Sequence, residues 1–128
     1  MSVDKFITKA ETRNMRTQPD SVNWMPRDVL HKPIRQNGGL RWEIFAQQSI
    51  SIQPGKTFTA SLGFGVRMTR GLCLISLRQE LKRKRCSRQD GTVSEDVEDI
   101  IVTIQNNSES VVIINEGDSL CYIIYSNS

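Results

Sequence analysis

The stretch EDIIVTIQNNSESVVIINEGDSLCYIIY, residues 98–125, decides the fold. It holds three apolar runs: Ile100-Ile101-Val102-Thr103-Ile104, Val111-Val112-Ile113-Ile114 and Leu120-Cys121-Tyr122-Ile123-Ile124-Tyr125. β-Branched and aromatic residues fill them, and each is strand-length rather than helix-length. Asn115-Glu116-Gly117-Asp118 is a turn leading into the last run.

The same grammar extends upstream as far as Gly38-Gly39. Leu40, Trp42, Ile44 and Ala46 alternate with Arg41, Glu43, Phe45 and Gln47. Ser49-Ile50-Ser51-Ile52-Gln53 alternates and stops at the turn dipeptide Pro54-Gly55. Phe58, Ala60 and Leu62 form another strand, and Val66 and Met68 continue after Gly63-Phe64-Gly65, which reads as a bulge or bend. Leu72-Cys73-Leu74-Ile75-Ser76-Leu77 is too continuous to be half-exposed. One helix is expected, within residues 77–84, where Leu77 and Leu81 stand four apart. Short strands with turns between them predict an all-β sandwich or barrel with one short helix.

Residues 1–37 differ. They are polar, carry Pro19, Pro26 and Pro33, and read as an extended arm preceding a β domain of residues 38–128. Residues 3–16 offer at most a weak amphipathic helix. Trp24 and Met25 are apolar anchors, placed to dock on the body or on a neighbouring subunit. Trp42 and Phe45 fall on opposite faces of one strand, so one of the two is a second interface candidate.

The chain has 128 residues, the size of one domain. No apolar run is long enough for a transmembrane helix, and the polar N-terminus is unlike a secretory signal. Three cysteines cannot all pair with one another, and Cys73, Cys86 and Cys121 with the lone His31 make no zinc spacing. A reduced intracellular protein of cytoplasm or nucleus is expected, with no membrane contact. Cys73 and Cys121 read as inert core. Cys86, between Arg85 and Arg88, reads as an exposed thiol whose thiolate is favoured.

The net charge of +3 conceals a division. Residues 1–88 hold all 17 basic and six acidic side chains, a net +11, and residues 89–128 hold eight acids and no base, −8. Either the two parts neutralise each other, across the fold or a subunit contact, or each presents a field to a partner. The densest basic cluster is Lys82-Arg83-Lys84-Arg85 with Arg88. It is short and has no interleaved aromatic ring, so a solvated loop is favoured over a nucleic-acid patch.

The order of these signals resembles the trimeric dUTP diphosphatase (dUTPase) family over about two-thirds of the chain. IQPGKTFTASLGFGVRM, residues 52–68, resembles its I-x-P-G turn and following strands. GLCLISLRQELK, residues 71–82, is similar to the second motif, a strand ending in P-R-S-x-L-A. Residues 98–125 are similar to G-E-I-x-V-x-l-x-N … f-x-I-x-x-G-D-r-I-A-Q-l-v. The resemblance implies a dUTPase-like β-barrel or jelly roll, a homotrimer with sites built across subunits, and magnesium-assisted hydrolysis of dUTP to dUMP and pyrophosphate.

The resemblance also implies losses. Glu43 stands where the first motif has its metal-serving Asp. Arg78 matches the second motif's Arg, and Gln79 replaces the phosphate-binding Ser. In the third motif Val93 replaces the water-activating Asp and Asp96 the Tyr that stacks on the sugar; a register shift would offer Glu95 or Asp96 as the base. Gly117-Asp118 is kept in the fourth motif and its Arg is lost. The fifth motif, a Gly-rich lid, is not found. Valine accepts no proton, and each such loss costs on the order of 10²-fold or more in rate. The expectation is therefore a degraded, protein-binding relative of viral-accessory type, without cofactor. It would engage a host or viral partner. The first alternative is a divergent dUTP hydrolase using Glu43, Arg78 and Glu95 or Asp96 with magnesium. The second is a small jelly-roll virion or nucleic-acid-binding protein.

Overall fold

The computed structural model describes residues 21–89 and 91–126. In chain order the described residues form β1 (Val22–Pro26), β2 (Ile34–Gln36), β3 (Arg41–Phe45), β4 (Ile50–Ile52), β5 (Thr57–Ser61), β6 (Phe64–Met68), β7 (Leu72–Leu77), helix α1 (Gln79–Arg83), β8 (Cys86–Gln89), β9 (Thr92–Val93), β10 (Ile101–Asn106), β11 (Val112–Ile114) and β12 (Ser119–Ser126). A single 3-10 turn lies between β2 and β3. Pairing is antiparallel throughout. The largest sheet has the order β2-β3-β12-β7-β9, and β5-β10-β8, β1-β6 and β11-β4 complete the architecture. The expected all-β architecture with one short helix is the one observed.

Period-2 alternation sets which face is buried. Trp42 and Ile44 of β3, Cys121, Ile123 and Tyr125 of β12, and Cys73, Ile75 and Leu77 of β7 all point inward. They meet Phe64 and Val66 of β6 and Val102 and Ile104 of β10. An aromatic cluster lies among them. Trp42 and Phe64 have ring centroids 4.8 Å apart, and Trp24 sits 5.6 Å from Phe64 and 6.1 Å from Trp42. Asn106 is buried completely at the end of β10. Its Nδ2 donates to the Ile52 and Ser110 carbonyls, and its Oδ1 accepts from Ser108 N and Oγ, so its burial leaves no bond unmade. The Gly63-Phe64-Gly65 bend has a steric origin. Gly63 adopts φ +68, and a Cβ on Gly65 would lie 2.5 Å from the Glu98 carbonyl oxygen.

The structure bears on several local expectations. Residues 1–20, including the weak helix expected at 3–16, lie outside the described residues. The second half of the expected arm is paired with the body: β1 lies on β6 from Val22↔Met68 to Pro26↔Phe64, and β2 lies on β3. Trp24 is anchored in the core by its packing and by a 3.0 Å bond from Nε1 to the Gly39 carbonyl. The basic stretch after α1 is not a free loop. Residues 86–89 form β8 on β10, because inward-facing Cys86 supplies one apolar contact and the backbone bonds do the rest.

Candidate functional site

The site begins with the register of β12. Tyr122 pairs with Glu43 on one side and with Ser76 on the other, so these three side chains form a row across the outer face of the largest sheet. Arg41, two residues before Glu43, shares that face, and its guanidinium carbon lies 4.0 Å over the Tyr122 ring. At the end of β7 the chain turns at Arg78, whose amide donates to the Leu120 carbonyl at 3.1 Å. Helix α1 then carries Lys82 and Arg83 back beside the row, pinned by buried Leu81.

An open groove of about 560 Å³ results, lined by Arg41, Ser76, Arg78, Lys82, Arg83 and Tyr122, with Glu80 at its edge. Lys82 Nζ donates to Ser76 Oγ at 3.2 Å, and Arg78 Nη2 lies 2.9 Å from Glu80 Oε1. Four cationic side chains thus face one carboxylate. Arg41 Nε is buried without a hydrogen-bond partner. Guanidinium forks in such a concavity match the oxygens of a carboxylate or a phosphate.

The residues singled out from sequence do not gather here. Of the candidate catalytic residues only Arg78 lines the groove, joined by Gln79 and by Lys82 and Arg83 of the basic cluster. Glu43 lies beyond Tyr122, accepting a 3.2 Å bond from Gln36 Nε2. Asp96 Oδ1 accepts from the Met68 amide at 2.8 Å, and Glu95 is exposed beside it. Val93 pairs with Cys73 and packs against the core. Among the described residues no three His, Cys, Asp or Glu side chains converge.

The basic cluster is divided. Lys82 and Arg83 join the groove, whereas Lys84 reaches Glu80 at 3.9 Å and Arg88 Nε donates to the Ile75 carbonyl. Arg85 takes a left-handed turn at φ +65.

Of the interface candidates, Trp24 and Trp42 are core residues, because both rings are enclosed by Phe64 and Tyr125 or by each other. Met25 is half-buried, and Phe45 is half-buried at the wall of a second, apolar hollow of about 310 Å³ between β5 and residues 45–50.

Cys86 is buried rather than exposed. Burial raises its pKa from the ordinary 9.0, partly opposed by Lys84. Burial alone pushes Cys73 and Cys121 up to about 12. His31 is half-buried and its Nε2 lies 2.9 Å from Glu116 Oε2.

Sequence reasoning missed Arg41 and Tyr122. Their facing position depends on the pairing of β3 with β12, which no local pattern discloses. No family model and no curated protein sequence matches the chain. Solved structures do. EIAV dUTPase superposes with a TM-score of 0.71 at 11% identity, over 83% of this chain and 88% of that one. A mutant dUTPase from phage phi11 of S. aureus gives 0.70 at 14% identity, over 85% and 92%. The Staphylococcus bacteriophage 80alpha dUTPase, a mutant with dUpNHpp, gives 0.71 at 10% identity, over 86% and 92%.

The chain has the dUTPase fold. Identities of 10–14% carry the fold and nothing finer. Within this dUTPase fold the groove occupies the β7–α1 corner, the stretch whose sequence resembles the family's second motif. Among the described residues no helix is long and apolar enough to cross a membrane.

Proposed function

We propose that this chain is a dUTPase-fold binding module that has lost dUTP hydrolysis and works as a homotrimer, engaging a host or viral protein. The observation that carries this reading is the place of Val93. A hydrocarbon, paired in β9 and packed on the core, stands where the resemblance puts the proton acceptor. The nearest substitutes do not replace it. Asp96 is held by the Met68 amide, and Glu95 is an exposed carboxylate. What remains suited to binding is the cationic groove, whose guanidinium groups recognise oxyanions without needing to activate water.

The test is direct. Purified protein incubated with dUTP and magnesium is expected to release no dUMP above a buffer blank. Turnover at an ordinary enzyme rate, about 1 s⁻¹ or more, overturns the reading. The viral character of the dUTPases named above supports a viral setting for such a module.

A further inference from the structure

A further hollow lies beside the groove, between β7 and β8. It encloses about 260 Å³ and is lined by Ser76, Leu77, Lys82, Cys86, Ser87 and Arg88. Ser76, Leu77 and Lys82 also line the groove, so the two concavities form one trough. It runs from Arg41 on β3, past Tyr122 on β12 and Ser76 on β7, to Ser87 and Arg88 on β8. The first three strands are neighbours in one sheet, so that part spans two strand spacings, roughly 10 Å, before the hollow extends it.

The trough is cationic along its length, through Arg41, Arg78, Lys82, Arg83 and Arg88. Glu80, the one carboxylate among the described lining residues, is engaged by Arg78 at 2.9 Å and Lys84 at 3.9 Å. Glu43, next to Tyr122 in the register, lies outside the lining and accepts from Gln36. The basic run 82–85 has no aromatic ring of its own, but strand pairing brings Tyr122 to it, with the Arg41 guanidinium 4.0 Å over that ring. The outer side of a guanidinium so held is a platform on which a nucleobase stacks. The backbone contributes as well. β8 bonds to β10 through Ser87 and Gln89, and the Arg85 carbonyl accepts from the Asn107 amide. By alternation the peptide groups of Cys86 and Arg88 turn the other way, toward β7 and the trough, where they offer donors and acceptors to base edges.

We propose that this trough binds single-stranded nucleic acid, with phosphates against Arg78, Lys82, Arg83 and Arg88 and one base on the Arg41–Tyr122 stack. The inference goes beyond the functional reading, because a strand held there requires neither a trimer nor the loss of hydrolysis. A duplex suits the trough less well, since its bases are stacked inside and cannot reach the platform. An acidic peptide matches the charge but has no base to stack there.

The experiment is fluorescence anisotropy of the full chain with a labelled mixed-sequence strand of about 20 nucleotides, at about 0.05 M and 0.2 M NaCl. Micromolar binding is expected at the lower salt, weakening about 20-fold at the higher, the dependence for about three phosphates on a single strand. Lys82→Glu with Arg83→Glu should weaken binding at least ~10-fold and flatten the salt dependence. Arg41→Lys keeps the charge and removes the planar group, so affinity should fall about 5-fold or more with the salt dependence unchanged. Lys32→Glu with Arg67→Glu changes the net charge equally at exposed residues outside the trough and should alter binding by less than about 2-fold. Unchanged thermal melts would show that each variant folds.

No binding at about 100 μM protein and the lower salt overturns the proposal. An equal loss in the Lys32→Glu, Arg67→Glu variant reduces the effect to net charge and overturns it too. A blunt duplex that binds as tightly as the strand removes the single-strand assignment. Polyglutamate that competes as well as an unlabelled strand reassigns the trough to an acidic protein. None of these outcomes bears on the dUTP hydrolysis test, so the two readings fail separately.

Discussion

The two faces of the β3–β12–β7 sheet share one backbone and do different work. On the inner face Ile44, Ile75, Cys121 and Ile123 are wholly buried, and neighbouring rings and aliphatic chains fill the space between them. On the outer face Arg41, Tyr122 and Ser76 line a groove open to solvent, and Leu74 keeps 40% of its surface exposed. Inner residues gain by leaving water, a non-directional force that accepts any close-packed solution. Outer residues gain only from a partner of matching charge and shape. The contrast shows how one strand preserves a fold while its reverse side changes task, since alternate residues answer to separate demands.

Substitutions on the two faces sharpen this contrast. Phe64→Ala removes a wholly buried ring from between Trp24 and Trp42 and is expected to cost about 3–5 kcal/mol, read as a lower urea midpoint. A loss below about 1 kcal/mol would mean the inner face is less tightly packed than described. Buried thiols give a smaller, pH-dependent effect. Cys73 and Cys121 are raised by burial from 9.0 to about 12, so the folded state disfavours their thiolates. Their contribution to stability is complete below pH 9 and is lost as pH rises from there toward about 12. Urea midpoints between pH 7 and the alkaline range should fall along that course, and none of the three thiols should react with an alkylating reagent at neutral pH before unfolding. The smallest effect on stability belongs to the outer face. Arg41→Ala removes the guanidinium over the Tyr122 ring and should shift unfolding by about 0.5–1 kcal/mol, read as a urea midpoint. A loss as large as that for Phe64→Ala would erase the distinction between the faces.

Much of the fold was legible because β7, β10, β11 and β12 are written in β-branched residues whose alternation survives without context. β1 was not. Val22, Asn23, Trp24, Met25 and Pro26 show no run long enough to mark a strand, and only pairing with β6 makes their backbone extended and buries Trp24. β8 was hidden by its charge, since Cys86 alone points inward and Arg88 lies outside. At the site, Arg78 was readable from the resemblance of residues 71–82 to the family's second motif. Arg41 and Tyr122 required the register of strands some eighty residues apart in sequence, a long-range quantity that turns and burial set jointly.

The hydroxyl of Tyr125 joins two distant parts of the chain. It lies 2.5 Å from Ser21 Oγ and donates to the Arg70 carbonyl at 2.7 Å. Among the described residues β6 is the one strand neighbour of β1, and this clasp at its beginning and Trp24 at its middle reinforce that ladder. Releasing the clasp would let β1 peel away as a unit, uncovering the tryptophan pair while the largest sheet stays closed. The amides of β1 would then exchange with solvent well before those of β12. The molecule's earliest opening would begin at a strand almost invisible in its sequence.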